Sequence, residues 1–356
     1  MRQVVILGSP DTKRIIYLKK AAEQEEVPIT FVDWKSWTQH HCLPEAETLL
    51  IKIDPPLWSS CSLETLNRLT DEYIQQLKEL NQLTQMREIR FLNEPSAIAE
   101  LLDKKACKSR LQQAGLRVTE RVQMPAYLEG GKCTVELLLE EMRRQRIHQV
   151  FIKPVKGSGA AGVSALRWQA QTGQMALYTC ALLQADSTFV NTKRLRRFSR
   201  PEEIIPLLSR ILDLDCIIER WYAKTEYQGY SYDLRAVVQD GQLDFMLARL
   251  SKGPITNLHL NNRPVEITQL GLPKHTLEEI TQLCQESLAL YPKLWSVGID
   301  ILLEKGSMRP RIIEMNGQGD LIYQDIYQEN RIYRRQVQMM KEWLQMKTGI
   351  AKRNGE

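Results

Sequence analysis

Two short apolar runs near the end of the chain, residues 298–304 and 311–316, constrain its fold more than any other segment. Residues 305–307 (Lys-Gly-Ser) between them predict a hairpin turn, so we expect the two runs to form adjacent strands. Asp300 lies in the first run, and Glu314 and Asn316 end the second with a spacing that puts both on one strand face. Oxygen ligands without His or Cys suit Mg²⁺, which usually also keeps waters and substrate phosphates in its shell. The pattern predicts a magnesium–nucleotide site.

The bulk composition narrows the class of protein. The 356 residues predict two or three subdomains rather than one core. A net charge of +5 fits a protein that handles anions but is too small to indicate nucleic-acid binding, so nucleic acid is not expected as a partner. The seven scattered cysteines contain no CxxC, which argues against a disulfide framework or zinc site and favours the reducing cytoplasm. Because we find no run of 18 apolar residues and no signal-peptide core, we expect no membrane span.

The order of elements predicts an α/β segment followed by α+β segments. Strands at 3–7 and 29–33 with a helix at about 12–26 between them form a βαβ opening. The stretch 63–90 is predicted to be helical. Further helices are expected at about 97–102, 104–114, 134–146, 202–212, 276–290 and 330–347, with strands at 149–153 and 163–168 around a glycine loop.

The glycine loop at 156–162 contains a literal G-x-G-x-x-G, a weak pattern when it stands alone. A Rossmann interpretation needs a helix after it, but 163–168 alternates like a strand. The P-loop requires Lys and Ser or Thr after the last glycine, where Val163 stands, and a protein kinase would show HRD and DFG triplets downstream. Two interpretations stay open: a strand–loop–strand flap whose backbone amides close over phosphates beside Lys153 and Lys156, and a plain β-hairpin with an exposed lysine.

Taken in order, these motifs resemble the ATP-grasp superfamily over about residues 91–320. Residues 93–95 (Asn-Glu-Pro) and 103–105 (Asp-Lys-Lys) are similar to the approach to its first phosphate lysine, here Lys104, and Lys153 is similar to the second. Residues 217–222 (Ile-Ile-Glu-Arg-Trp-Tyr) resemble the adenine hinge, with Glu219 near the exocyclic amine. Glu226 falls where D-alanine–D-alanine ligases place their ribose carboxylate.

Another set of motifs resembles ribosomal-protein glutamate ligases and related peptide ligases. Asp233 and Arg235 in 232–241, and Arg249 in 248–250, are similar to their "D-[LIM]-R" strand and following arginine. Asn257 lies in 256–261, which is similar to an "NLH" segment; where that family usually has Gly, this chain continues with residues 261–263 (Asn-Asn-Arg).

The resemblance implies an ATP-grasp fold of α/β and α+β type with an N-terminal Rossmann-like pre-ATP-grasp domain. The implied domains are 1–90, a central 91–222 with the flap and hinge, and 223–356 with the metal site and terminal helix. It further implies an ADP-forming carboxylate–amine ligase that uses ATP and Mg²⁺ (or Mn²⁺) and forms an acyl-phosphate. The acid, the amine and the oligomeric state stay open, and a peptide is one candidate substrate.

The resemblance also implies the site residues. Arg235, Arg249 and Asn257 would be catalytic, and Asp300, Glu314 and Asn316 would bind the metal. The nucleotide would contact the following residues: Lys104, Lys153, Lys156, Gly157, Ser158, Gly159, Glu219, Arg220, Trp221, Tyr222, Glu226 and Asp233.

Alternatives stay open for several features. Trp221 and Tyr222 could be core residues, although their place in the hinge favours the adenine pocket. The basic run 193–200 is either a solvated loop or a docking site for an acidic peptide or for RNA, although no RNA-binding module surrounds it. A small-molecule kinase of the same fold and a non-catalytic nucleotide-binding module are the rival functions.

Overall fold

The computed structural model describes residues 1–85, 88–125, 133–157, 160–185, 187–260, 262–318, 327 and 329–346. Within these residues no helix is both long and apolar enough to cross a membrane. The strands of the described residues form three sheets.

The N-terminal sheet has four parallel strands in the order β2-β1-β3-β4. Its central strands are mostly apolar and almost wholly buried, as expected of strands covered by helices on both faces. The side chains of Thr12 and Ser62 cap the first and third helices by accepting from backbone N–H groups three residues on. The elements are β1 Arg2–Gly8, α1 Lys13–Gln24, β2 Ile29–Asp33, α2 Trp34–His40, β3 Thr48–Ile53, α3 Leu63–Gln82 and β4 Glu88–Phe91.

Two short helices, α4 Pro95–Leu102 and α5 Lys104–Gln113, follow this sheet. Asp103 separates them, and its carboxylate accepts from the N–H groups of Lys105 and Ala106, so it caps α5. Both helices pack against the last strand of the C-terminal sheet described below, and α4 also packs against α3. The packing places Lys104, the first residue of α5, beside the cleft between the two later sheets.

The central sheet is antiparallel, with five strands in the order β8-β7-β6-β5-β9. Helices α6 and α7 supply apolar residues to a separate core beneath it. The elements are α6 Val135–Arg144, β5 Gln149–Pro154, β6 Ser164–Trp168, β7 Met175–Leu183, β8 Phe189–Phe198, α7 Pro201–Leu212 and β9 Cys216–Arg220.

The C-terminal sheet is antiparallel in the order β13-β12-β11-β14-β15, with β10 paired to β11. One face packs on α8 and shares a core with the N-terminal sheet. The last helix returns to the N-terminal sheet, where Tyr333, Val337 and Trp343 pack with Val4 and Ile6. The elements are β10 Glu226–Tyr227, β11 Tyr230–Gln239, β12 Gln242–Ser251, β13 Arg263–Glu266, α8 Lys274–Ala289, β14 Ser296–Leu303, β15 Pro310–Asn316 and α9 Arg331–Gln345.

The predicted helix over 63–90 is wrong at its end. The helix stops at Gln82, and the amphipathic pattern is followed by a short strand, β4, whose side chains alternate between exposed and buried. Strand β4 extends the parallel sheet by pairing with β3. Four residues are too few for a period to be read from the sequence.

Candidate active site

A cleft of about 800 Å³, open solvent included, lies between the central and C-terminal sheets. Its walls come from β5 and the glycine loop on one side and from β11, β12, β14 and β15 on the other. Eleven of the residues singled out in the sequence line it: Lys104, Lys153, Gly157, Glu219, Arg220, Tyr222, Asp233, Arg249, Asn257, Asp300 and Glu314.

The predicted metal ligands lie on the two neighbouring strands of the hairpin. Asp300 on β14 is directly opposite Glu314 on β15, and Gly298 is opposite Asn316. Side chains two residues apart on a strand share a face, so Asn316 flanks the Asp300–Glu314 pair. Gly298 contributes no side chain at the position opposite Asn316. The hairpin therefore brings three oxygen donors to one side of the sheet.

Two arginines neutralise Asp300. Arg235 lies directly opposite Asp300 across β11 and β14, and its Nε donates to Asp300 Oδ1 over 2.5 Å. Arg249 Nη2 lies 3.0 Å from Asp300 Oδ2, and its Nε donates to Asp233 Oδ1 over 2.7 Å. Burial alone would raise the pKa of Asp300, but the two guanidinium groups outweigh burial and lower it. Asp300 is thus held ionised, and Arg235 reaches the site through it without lining the cleft.

The donors present fit a hard divalent cation. All three can offer oxygen, and a carboxylate oxygen has a second lone pair that an arginine leaves open. The Asn316 amide nitrogen is buried and has no hydrogen-bond partner in the part of the chain that the structure describes. Because amide nitrogen and oxygen are interchanged by a rotation, this unpartnered position can equally present the oxygen. No group of three His, Cys, Asp or Glu residues suited to a metal exists among the described residues, so the site depends on the amide.

The other end of the cleft centres on the carboxylate of Glu219, which is almost fully buried. Its Oε2 accepts from Lys153 Nζ and from Thr119 Oγ1, both over 2.7 Å. Its Oε1 lies 3.1 Å from Lys108 Nζ. Burial would raise the pKa of Glu219, but Lys108 and Lys153 together lower it to about 2. A permanently ionised acceptor therefore lies at the hinge end of the cleft.

Lys104 lies beneath the glycine loop. Its Nζ donates to the Gly157 carbonyl over 2.8 Å, so the ammonium faces the start of the loop. Burial lowers its pKa, and Lys153 lowers it further, whereas Glu314 and Glu219 raise it. Lys156 turns the other way and forms an ion pair with Asp71 on α3. Three residues named in the sequence predictions lie outside the described residues: Ser158, Gly159 and Asn261.

The hinge residues separate into two groups. Arg220 and Tyr222 line the cleft, and the Tyr222 ring lies 4.3 Å from the Arg311 guanidinium. The Trp221 side chain is outside the lining and packs against Phe151 with ring centroids 5.4 Å apart. Side chains alternate between faces along an extended segment, which is why Trp221 points away from its two neighbours. The Trp221 side chain is therefore not part of the cleft lining, and its contact with a nucleotide stays a prediction.

Glu226, the predicted ribose ligand, also lies outside the cleft lining. It is exposed on β10 and forms an ion pair with Lys305 in the hairpin turn, with a 2.8 Å separation between Nζ and Oε1. It is not among the residues that line the cleft. Strand β10 exposes this side chain to solvent, and its contact with a ribose stays a prediction.

Sequence reasoning missed two buried lysines at the cleft. Lys108 contacts Glu219, and Lys224 donates to Thr256 Oγ1 over 2.7 Å and lies 3.5 Å from Asp233 Oδ2. Burial lowers the pKa of both lysines, and the carboxylates oppose this effect. Lys108 follows Lys104 by one helical turn, so the i, i+4 spacing was the available signal. Lys224 lies just past the hinge and has no such pattern.

Solved structures of other proteins share this architecture. D-cycloserine synthetase DcsG has a TM-score of 0.59 at 12% identity, with 95% of this chain and 99% of that chain covered. Macrocyclase MdnC bound with precursor peptide MdnA, from Microcystis aeruginosa MRC, has a TM-score of 0.59 at 12% identity, with 96% and 100% covered. ATP-grasp ligase PsnB, complexed with minimal precursor, Mg and ADP, has a TM-score of 0.54 at 13% identity, with 95% and 97% covered.

The chain has the ATP-grasp fold. This confirms the fold class predicted from the order of motifs, including the parallel N-terminal sheet that precedes the two later sheets. At these identities the similarity concerns the fold. No protein-family model and no curated protein sequence matches the chain.

Proposed function

We propose that this chain is an ADP-forming ligase that activates a carboxylate with ATP and joins it to an amine. The proposal depends on how charge is distributed along the cleft. Lysines and a glycine loop occupy one end, and an Asp300–Glu314 pair with an adjacent arginine occupies the other. A nucleotide triphosphate lying along the cleft would find its phosphates between these two groups.

Each end has a separate task in this proposal. Glu219 would accept from the adenine amine, and Tyr222 would lie beside the base. Lys104 and Lys153 would hold the α- and β-phosphates, with the Gly157 segment closing over them. Fixed charges that need no rearrangement during the reaction are the largest electrostatic source of rate enhancement in phosphoryl transfer.

The reaction begins when a substrate carboxylate oxygen attacks the γ-phosphorus and the bond to ADP breaks. The amine then attacks the acyl carbon, phosphate leaves with the former carboxylate oxygen, and the amine loses a proton. Arg249, with Arg235 behind it, would stabilise the transferred phosphoryl group, since a guanidinium binds two oxygens at once. Asn257 would orient the same group.

Asp300, Glu314 and Asn316 would hold Mg²⁺, with Mn²⁺ as an alternative that suits the same oxygen donors. When bound, the ion supplies charge neutralisation between the phosphate oxygens. The pairing of Asp300 with two arginines keeps that carboxylate ionised and oriented before any ligand arrives.

The substrate class is an amino acid or a peptide. Two of the similar structures, MdnC and PsnB, were solved with peptides, and DcsG is a synthetase of a small molecule. In this chain Arg194 and Arg197 are exposed on the edge strand β8. Leu195, between them, approaches Gly253, which begins the loop that carries Asn257. The positive charge of these two arginines favours an acidic peptide over a neutral one.

Hydroxylamine trapping tests the proposal. The protein is incubated with MgATP, hydroxylamine and a pool of amino acids, small acids and acidic peptides, and hydroxamate and ADP are measured against the Glu314→Gln variant. Hydroxamate and ADP from the wild type, both lost in the variant, are the expected result. ADP without hydroxamate would contradict a ligase and identify phosphate transfer to a hydroxyl group or to water instead.

A further inference from the structure

Lys108 is a buried lysine that touches the nucleotide end of the cleft without lining it. Only 3% of its side chain is exposed. Its ammonium lies 3.1 Å from Glu219 Oε1 and donates to Thr119 Oγ1 and to the Ile313 carbonyl, both over 2.7 Å. An ammonium has three donors, so all of them are used.

The charges around Glu219 do not cancel. One carboxylate lies between two ammonium groups, Lys108 at Oε1 and Lys153 at Oε2. Lys153 and Glu219 line the cleft, whereas Lys108 approaches Glu219 from behind it. The carboxylate is therefore neutralised from the protein side, and one positive charge is left over on the cleft side.

The backbone contact of Lys108 connects this cluster to the metal strand. Ile313, whose carbonyl accepts from Lys108, directly precedes Glu314 on β15. The extended segment that carries Thr119 contacts both β15 and β9. The Thr119 N–H donates to the Ile312 carbonyl on β15, and the Thr119 hydroxyl donates to Glu219 on β9. Lys108, on α5, thus contacts both Glu219 and the strand that carries Glu314.

We propose that Lys108 is a positioning residue for phosphate binding. It neutralises Glu219 from behind, so the charge of Lys153 stays available to an anion in the cleft. Without Lys108, Glu219 and Lys153 would form a closed one-to-one pair. The inference depends on the proposed function in one respect, namely that the anion is the phosphate chain of a nucleotide.

A purely structural lysine would behave differently. A lysine that only ties α5 to β9 and β15 would, when removed, loosen the whole cleft and weaken every ligand alike. A charge-balancing lysine acts on phosphates and leaves a ligand without phosphates unaffected. Burial lowers the pKa of Lys108 while Glu219 raises it, in agreement with an ammonium held by this carboxylate.

Four proteins separate the two roles: wild type, Lys108→Met, Glu219→Gln and the double variant. Methionine keeps the length of the side chain and removes its charge. The cleft-side charge of the cluster is then lowest in Lys108→Met, equal in wild type and double variant, and highest in Glu219→Gln. Lys105→Met on the same helix is the matched control, since Lys105 pairs with Asp215 near the surface.

The dissociation constants of ATP and of adenosine are measured by calorimetry. The ratio used below is the dissociation constant of ATP divided by that of adenosine. Because a charge-assisted contact contributes about 1.5–3 kcal/mol, Lys108→Met should weaken ATP about tenfold or more and leave adenosine unchanged. The double variant should return the ratio to the wild-type value, and Lys105→Met should not change it. If Lys108→Met does not fold, the ratio should still be higher in the double variant than in Glu219→Gln, because the double variant has less positive charge for ATP.

Equal losses for ATP and adenosine, or a ratio that is the same in Glu219→Gln and the double variant, would overturn the inference. Wild-type protein that binds neither ligand would overturn the proposed function and this inference with it. Wild-type protein that binds ATP, with an unchanged ratio in Lys108→Met, would overturn only the role of Lys108.

Discussion

Replacing either carboxylate of the Asp300–Glu314 pair should abolish ATP turnover, but only the replacement of Asp300 should destabilise the protein. Asp300 forms ion pairs with Arg235 and Arg249, whereas the Glu314 carboxylate makes no hydrogen bond or ion pair within the described residues. We expect Asp300→Asn to destabilise the protein and Glu314→Gln to leave its stability unchanged. Both variants should lose ATP turnover, because each removes one metal ligand.

The magnitude follows from the burial of the ion pairs. Removing one partner of a buried pair costs about 3–5 kcal/mol in the free energy of unfolding. Arg249 keeps Asp233 at 2.7 Å, and 19% of the Arg235 side chain is exposed to water. The lower end of the range, about 3 kcal/mol, therefore applies to Asp300→Asn. Within the described ranges Glu314 makes no hydrogen bond or ion pair and loses only its longer-range attraction to Lys104, so its replacement by an amide should change stability by no more than about 0.5 kcal/mol.

Equilibrium urea unfolding followed by circular dichroism measures the difference. With a slope of about 3 kcal/mol per molar urea, the unfolding midpoint of Asp300→Asn should fall by about 1 M, and that of Glu314→Gln should stay in place. An equal fall in both variants, or a loss below about 1 kcal/mol for Asp300→Asn, would refute the assignment of Asp300 as the neutralised member of the pair.

The remaining predictions concern stability at acidic pH, the glycine loop and the first phosphate lysine, Lys104. Because the pKa of Glu219 is lowered to about 2 in the folded protein, its contribution of about 3 kcal/mol is complete above about pH 4.5 and declines towards pH 2; Glu219→Gln should remove this part of the pH dependence of unfolding. Gly162→Ala should lower the melting temperature more than Gly173→Ala: both have φ +70°, but only at 162 would a Cβ meet Pro154 Cγ, at 2.8 Å. Lys104→Ala should raise the ATP dissociation constant with an unchanged circular dichroism spectrum.

Local patterns were sufficient for most of the fold. Apolar periodicity located α1, α5 and α6 to within two residues, because each has a buried face. The hairpin of β14 and β15 was predicted from two apolar runs and a glycine turn. Strand β4 was missed because its four residues follow a long amphipathic helix without a strong break.

The candidate site could be predicted only where a residue's neighbours in sequence decide its direction. Asp300 and Glu314 both line the cleft because the predicted hairpin pairs them directly across its two strands. Trp221 and Glu226 do not line it, since one residue of shift in an extended chain reverses the side chain. Lys108 lies more than a hundred residues from its carboxylate partner, Glu219. Lys224 reaches its partners across a loop. No local sequence pattern indicates either contact.

The binding of MgATP is the most direct measurement of the central claim, because it needs no knowledge of the acid or the amine. Calorimetric titration of wild type and Glu314→Gln with ATP, each with Mg²⁺ and with EDTA, isolates the contribution of the metal pair. We expect Mg²⁺ to tighten ATP binding to the wild type at least about tenfold and to have little effect on the variant. Equal affinities in all four titrations, or no binding by the wild type, would contradict it.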